Sequence, residues 1–334
     1  VSDRPTVVRP IDPAHPDPGL LREAGEVVRA GGLVAFPTET VYGLGANAQD
    51  AAAVGRIFAA KGRPATNPLI VHVVGESMLH TLATEWPPTA ARLARRFWPG
   101  PLTLVLPKRP TVPDATTGGG PTVAVRMPGH PVALGLIGAA GVPVAAPSAN
   151  RSSALSPTRA EHVLAGLGGR IDLILDGGPT ANGIESTVLS LVGERPVLLR
   201  PGPIAVSELE EVIGPVERRS REATGGPLPS PGLLPRHYAP RTPLELHADR
   251  DRLFNRADEL ARAGEHVGCV VMGSESGSRV VVELPADPAG YASRLFDTLH
   301  ELDKRGLTRI LVQLPPETDE WLAVRDRLTR AAAV

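Results

Sequence analysis

The chain is poor in the residues that would staple it, stack on nucleic-acid bases or carry it through a membrane. A single cysteine, Cys269, excludes an intramolecular disulfide and a cysteine metal cage. It lies in the apolar run Val267-Gly268-Cys269-Val270-Val271-Met272, where a thiol serves as a small hydrophobe of a buried strand. Aromatic residues make up 3% of the chain and the formal net charge is -1, so the strong basic field and stacking platforms of a nucleic-acid-tracking surface are missing. No strong direct nucleic-acid binding is expected. No apolar run reaches the roughly twenty residues that span a bilayer, and the start, with Asp3, Arg4 and Pro5, shows no signal-peptide core. No membrane association is expected, and the expected compartment is the cytoplasm.

What is present is an ordinary globular balance, 42% hydrophobic and 21% charged over 334 residues, enough for two modest domains. Residues 1 to 19, rich in Pro and Asp, read as a loose leader. Leu20 to Ala30 reads as an amphipathic helix stopped by Gly31-Gly32, and Leu33-Val34-Ala35-Phe36 as a buried strand. A second helix follows, with Asp50 as its cap, Val54, Ile57 and Phe58 on one face, and Gly62 as the left-handed residue that ends it. Strands at 69–74, 102–106, 123–126, 142–146, 173–175, 188–191 and 197–199 alternate with helices at 89–97, 131–140, 159–167 and 207–213, which indicates an α/β domain. From Gly214 to Thr242 the chain is dense in Pro, Gly, Ser and Arg and reads as a linker. Beyond it, strands at 244–246, 267–272, 280–284 and 310–314 and helices at 252–263, 289–305 and 318–333 form a Rossmann-like pattern. That unit has no Gly-x-Gly-x-x-Gly turn, so an accessory role is expected.

The chemistry concentrates in the first unit. Lys61-Gly62-Arg63 sits at a chain reversal, and two cations fixed on a glycine turn suit a polyanion, although complementing the helix dipole would account for either one alone. Before that helix, Pro37-Thr38-Glu39-Thr40-Val41-Tyr42-Gly43-Leu44-Gly45-Ala46-Asn47 supplies hydroxyls, a carboxylate and glycines at a strand end, the makings of a pocket rim. Asn67-Pro68-Leu69-Ile70-Val71-His72, Arg126 and Ser148-Ala149-Asn150 complete the set.

In this order, and joined by Phe97-Trp98-Pro99-Gly100-Pro101-Leu102-Thr103, Thr122-Val123-Ala124-Val125-Arg126-Met127-Pro128, Ser186-Thr187-Val188 and Arg200-Pro201-Gly202, the segments resemble the YrdC-like family, the threonylcarbamoyl-AMP synthases. The likeness runs over residues 20 to 213 and the tail fits the long, two-domain form. It implies a YrdC-like catalytic domain at 20–213 with a twisted mixed sheet and helices, a linker at 214–242 that serves as an active-site lid, and a smaller Rossmann-like α/β accessory domain at 243–334. The implied reaction joins L-threonine, bicarbonate and ATP to give threonylcarbamoyl-AMP and pyrophosphate. ATP enters with Mg2+ held mainly by its phosphates, and no protein metal ligands are expected. A downstream tRNA threonylcarbamoyl transferase machinery would use the product on adenosine next to the anticodon.

Residue by residue, the resemblance assigns Thr40, His72, Arg126 and Ser186 to threonine. It assigns Arg63, Asn67, Thr122, Ala146, Ser148, Ser156, Arg200 and Tyr238 to ATP, and Lys61, Arg63, Ser148 and Asn150 to the catalytic core. Taken singly, His72 reads as a satisfied core histidine, and Ser148 and Ser156 as caps. Glu39 and Glu185 are candidate acceptors for the threonine ammonium proton, with Glu39 more readily a loop organiser. The linker carries Ser230-Pro231-Gly232 and His237-Tyr238-Ala239-Pro240, but Leu233, Leu234 and Pro235 stand where the family has a basic residue and a Tyr. Two other functions compete: an RNA-binding module, and a carbamoyl-phosphate-dependent carbamoyltransferase of the same fold. The second normally brings zinc-finger cysteines, which this chain lacks.

Overall fold

A computed structural model describes residues 5–218, 237–273 and 280–333. Strands β1 (Val7–Pro10), β2 (Val34–Phe36), β3 (Gly43–Asn47), β4 (Ile70–His72), β5 (Leu102–Pro107), β6 (Thr122–Arg126), β7 (Val144–Ala145), β8 (Leu173–Asp176), β9 (Thr187–Ser190), β10 (Val197–Arg200) and β11 (Glu217–Arg218) make one mixed sheet. Its order is β1-β8-β2-β3-β7-β4-β6-β5-β9-β10-β11. Strands β12 (Leu244–His247), β13 (Val267–Met272), β14 (Val280–Leu284) and β15 (Arg309–Gln313) make a second sheet, ordered β12-β15-β13-β14 and parallel at every pairing. The α/β class and the smaller parallel C-terminal unit are as expected from the sequence.

Alternation along β2 distributes the first core over both faces of the large sheet. Leu33 and Ala35 join Tyr42, Leu44, Ile57, Leu104 and Leu189 on one side, while Val34 and Phe36 join Leu21, Val28, Leu136 and Val144 on the other. The helix Ala51–Lys61 is built as its caps dictate: the Asp50 side chain accepts from the amides of Ala52 and Ala53, and Gly62 at φ 62° ends it. Its end delivers Lys61 to the loop after β7 and Arg63 to the segment before β4, two neighbouring strands in the middle of the sheet.

Two expectations are corrected. Residues 5 to 19 are not a loose leader: β1 pairs in parallel with β8, and Asp17 caps the helix Pro18–Arg29. Every residue of β1 is exposed, so main-chain bonds such as Ile11 N to Asp176 O (2.9 Å) hold a strand with no hydrophobic signature. The second correction is β3, a strand not expected from sequence, which runs through the segment read as a pocket rim. A Cβ at Gly45 would lie 2.8 Å from Phe36 Cε1 and 2.9 Å from Val144 Cγ1, so the strand needs glycine for close packing and loses the composition that would reveal it.

The second unit packs against the first through a shared core. Val41, Leu155, Ile184 and Tyr238 cluster with Tyr291, Leu295, Phe296 and Val324. At its margin Arg159 forks onto Asp297, at 2.7 and 3.1 Å. The predicted final helix is shorter than its sequence pattern, a single 3-10 turn at Asp319–Trp321 followed by Leu322–Ala331. Among the described residues, no helix is long and apolar enough to cross a membrane. Ser230, Pro231 and Gly232, and the departures at Leu233, Leu234 and Pro235, lie outside the described residues.

Candidate active site

The ends of β4, β6 and β10, the rim before β3 and the loop after β7 converge on a cleft of ≈ 500 Å³, its open mouth included. Thr40, Arg63, His72, Arg126, Ala146, Ser148, Ser186, Arg200 and Tyr238 line it. Of the other residues singled out from sequence, Lys61, Asn67, Asn150 and Ser156 are buried without lining the cleft, and Thr122 is half-buried at the start of β6.

At one end, Thr38 closes the rim on itself. Its hydroxyl meets Thr40 Oγ1 at 2.8 Å, donates to Val41 O at 2.6 Å, and accepts from the amides of Thr40 and Val41. Arg126 donates through Nε to Gly100 O at 3.2 Å and brings Nη2 within 2.7 Å of Glu39 Oε1. That ion pair is close but poorly aligned, and among the described residues Arg126 Nη2 and both Glu39 oxygens are buried without a proper hydrogen-bond partner. His72 lies beside them, its Nδ1 without a partner among the described residues. Burial, reinforced by the Arg126 charge, pushes its pKa down to about 3, so the ring is neutral near pH 7.

The other end is strongly basic. Arg63 donates Nε to Asn67 O (3.1 Å) and Nη2 to Asn67 Oδ1 (2.7 Å) and Pro68 O (2.8 Å), which fixes its guanidinium plane. Burial lowers its pKa only to about 10, leaving it charged. Lys61 is held beneath the loop after β7, donating to the carbonyls of Ser148 and Asn150, with Asn150 Oδ1 at 3.4 Å. Burial, with the neighbouring Arg63 charge, drives its pKa well below the ordinary lysine value. The Asn150 amide continues the brace to Arg151 O (2.9 Å) and Ala154 O (2.7 Å). The same loop is tied to the rim, where Leu44 N donates to Pro147 O and Ala149 N to Tyr42 O, both at 2.8 Å.

Arg200 and Ser186 join the two ends. Arg200 donates Nε to Ser186 O (3.0 Å) and Nη2 to Ser186 Oγ (3.1 Å), while Ser186 Oγ lies 2.8 Å from Thr103 Oγ1. Glu185, also in the cleft wall, accepts from the Ser156 hydroxyl on Oε1 and from Arg327 Nε on Oε2 at 2.7 Å. Although burial opposes its charge, Arg327, Arg200 and Ser156 hold its carboxyl below the usual glutamate range. Such a carboxylate is a weak base. Tyr238 covers this end, fully buried at φ 61° beside His237, whose pKa burial lowers to about 3.

Sequence reasoning missed Arg327. It belongs to the C-terminal helix, 142 residues from Glu185, and its neighbours Asp326 and Arg330 make it read as one charge of a solvated face. In the fold its side chain is 0% exposed.

Comparison with known proteins bears on the whole chain. The Sua5/YciO/YrdC family, described as "Telomere recombination", matches residues 26–202, and "Threonylcarbamoyl-AMP synthase, C-terminal domain" matches residues 204–333. The chain is 47% identical to a threonylcarbamoyl-AMP synthase of Pyrococcus abyssi, over 93% of this chain and 94% of that protein. It is 44% identical to one of Bacillus subtilis, over 93% and 92% respectively. Among solved structures, P. abyssi Sua5 complexed with L-threonine superposes with a TM-score of 0.92 at 44% identity, covering 98% of each chain. With both units matched in order and 47% identity to a relative over nearly the whole chain, the chain belongs to the Sua5/YciO/YrdC family.

Proposed function

We propose that the protein is an L-threonylcarbamoyladenylate synthase, converting L-threonine, bicarbonate and ATP to threonylcarbamoyl-AMP and pyrophosphate. The observation that carries this reading is the division of charge along one cleft. Arg126 beside Glu39 forms a balanced end, with the unfilled valences a zwitterionic amino acid needs: a guanidinium for its carboxylate and a carboxylate for its ammonium. The other end sets Lys61, Arg63, Arg200 and Arg327 against Glu185 and suits a polyphosphate. The activity for which the relatives are named and the threonine complex of the P. abyssi protein support the same substrates.

Chemically, the threonine ammonium gives up a proton, and its amine takes the carboxyl carbon of bicarbonate to form a carbamate with release of water; a carbamate oxygen then attacks the α-phosphorus and displaces pyrophosphate. Positioning and charge neutralisation can carry such a transfer, and no covalent nucleophile is needed. Thr40, His72, Arg126 and Ser186 hold threonine in this reading. Neutral His72 and the rim hydroxyls face its side chain, where a site built to hydrogen-bond a hydroxyl rejects the analogue that lacks it. Arg63, Ser148, Arg200 and Tyr238 face the nucleotide directly. Lys61, Asn67, Asn150 and Ser156 act from behind the wall. Glu185 is engaged by Ser156 and Arg327, and Glu39 is kept for the ammonium in this reading, so magnesium enters as part of the ATP substrate, on its phosphates and water.

The wider reading extends the catalytic unit from the expected 20–213 to include β1 and β11 of the same sheet, and makes the protein a cytoplasmic enzyme supplying a tRNA-modifying transferase; of the expected linker and lid at 214–242, residues 219–236 lie outside the described residues. The test is incubation with ATP, magnesium, threonine and labelled bicarbonate. Labelled acyl-adenylate with equimolar pyrophosphate is the expected result. Product formed only when carbamoyl phosphate replaces threonine and bicarbonate would assign the carbamoyltransferase reaction instead, and tRNA affinity without any turnover would assign RNA binding.

A further inference from the structure

Part of the cleft wall is set from the far end of the chain. We propose that Arg327, in the C-terminal unit, is a positioning residue for adenylate formation, acting on the nucleotide end of the cleft through Glu185, Ser156 and the ring of Tyr238; the inference rests on the reaction assigned above.

Side-chain exposure is 0% at Arg327 and 7% at Glu185, and two charges this deeply buried are a poor source of stability in themselves. Apolar residues of similar volume often serve as well or better. What the pair supplies is direction. Glu185 Oε2 is taken by Arg327 Nε at 2.7 Å, which turns Oε1 to the Ser156 hydroxyl. A second Arg327 nitrogen, Nη2, reaches Glu185 O at 3.4 Å, and Nη1 is anchored on Asp326 at 2.9 Å. The guanidinium is thereby locked in a plane that a lysine ammonium cannot reproduce.

Two further contacts aim at the same place. The carbonyl of Ser156 lies 3.1 Å from His300 Nε2, so Ser156 is gripped at its hydroxyl through Arg327 and Glu185, and at its backbone from the helix Pro288–Asp303. Arg327 Cζ also stands 5.1 Å from the centre of the Tyr238 ring, a cation–π contact. Tyr238 sits at φ 61°, which a bulky residue seldom adopts unless its surroundings hold it there. Arg327, by contrast, is bonded to none of Thr38, Thr40, Glu39 or Arg126, which pair among themselves and with nearby backbone. Its influence should therefore divide unequally between the two substrates.

The experiment compares wild type with Arg327→Lys, Arg327→Met and the double variant Arg327→Met/Glu185→Gln. Each is checked for folding by thermal melt, then titrated with ATP and with threonine by calorimetry and assayed for pyrophosphate release with each substrate varied. The double variant removes both members of the Arg327–Glu185 pair, so neither is left facing a lost partner, and serves if Arg327→Met alone does not fold. The expected result is a KM and Kd for ATP raised at least about fivefold in the double variant, less in Arg327→Lys, with threonine values within about twofold of wild type. ATP values within about twofold of wild type in the folded variants would overturn the inference, and so would equal losses for both substrates. A wild type without turnover would sink the assigned reaction, while the ATP titrations would still decide the role of Arg327.

Discussion

Lys61 and Asn150 are joined across 89 residues of sequence, the lysine ammonium donating to the asparagine carbonyl from beneath the loop that carries Ser148. The cation therefore works on the backbone of the wall as well as on the field in the cleft. Replacing it by Met removes the donor for two carbonyls and leaves them buried, at a cost of about 1–3 kcal/mol. Lys61→Met should lower the free energy of urea unfolding by that amount. It should also reduce threonine-dependent pyrophosphate release at least about tenfold, ~1.4 kcal/mol of transition-state stabilisation. Full turnover in a folded variant would show that neither the brace nor the charge matters to the reaction.

Arg126→Ala should raise the threonine requirement far more than the ATP requirement. The guanidinium stands 2.7 Å from Glu39 at the balanced end of the cleft and is 4% exposed, so it cannot be replaced by water without loss. A hydrogen bond to a charged group is worth about 1.5–3 kcal/mol, which predicts a threonine Kd roughly tenfold or more weaker. Calorimetric titration with threonine measures this directly, and an unchanged Kd would remove Arg126 from the amino-acid subsite.

Much of this architecture could be read from residue patterns, and the gaps have physical causes. The helix before Lys61 was legible because its start and stop are local: Asp50 bonds the next amides and Gly62 needs a left-handed φ. The strand at 7–10 was hidden because all four residues are exposed and held by backbone alone, and β3 because Phe36 and Val144 leave no room for a side chain at Gly45. In the cleft, polar residues stranded in apolar runs, such as His72 and Arg126, drew notice for their chemistry. Sequence shows which residue is present but not where its atoms point. It could therefore mark Lys61 as a cation without showing that its ammonium is turned to the loop, and it could not join Arg327 to Glu185 through the fold.

Buried histidines give the protein a defined response to acid. His72 and His237 are held at about 3 by burial, whereas an unfolded histidine titrates near 6.5. Between those values the unfolded chain binds protons that the folded chain refuses, so stability is complete above about pH 6.5 and falls as pH drops toward 3. Each such group contributes a slope of up to ~1.4 kcal/mol per pH unit, and His162, lowered likewise but less buried, adds to it more weakly. Glu185, Asp297 and Asp303 have depressed pKa values and add their own loss only at lower pH. Urea titrations at pH 7, 6 and 5 should show falling unfolding free energy, and His237→Gln should flatten the decline by about one proton. A flat profile would mean that these rings accept protons in the folded state.

Gly202 offers the sharpest test of how tightly the middle of the cleft is built. A Cβ there would lie 2.3 Å from Thr187 N, 2.6 Å from Ser186 C and 2.8 Å from Glu185 O, all backbone atoms that cannot swing aside. Gly202→Ala must therefore push back the segment that presents Ser186 to Arg200 and Glu185 to Arg327, with an overpacking cost of about 1–3 kcal/mol. Because Ser186 belongs to the proposed threonine site and Glu185 to the proposed nucleotide end, the requirements for both substrates should rise, unlike the one-sided effects expected at Arg126 and Arg327. Gly55→Ala is the matched control. That glycine is in the interior of the helix Ala51–Lys61 with nothing within 4 Å of a new Cβ, so alanine should stabilise the protein by about 0.5–1 kcal/mol and leave kinetics unchanged. Urea unfolding and paired KM measurements on the two variants decide the matter: wild-type stability and kinetics in Gly202→Ala would mean that the strand edge at Ser186 yields freely, and the cleft is not held at the spacing described.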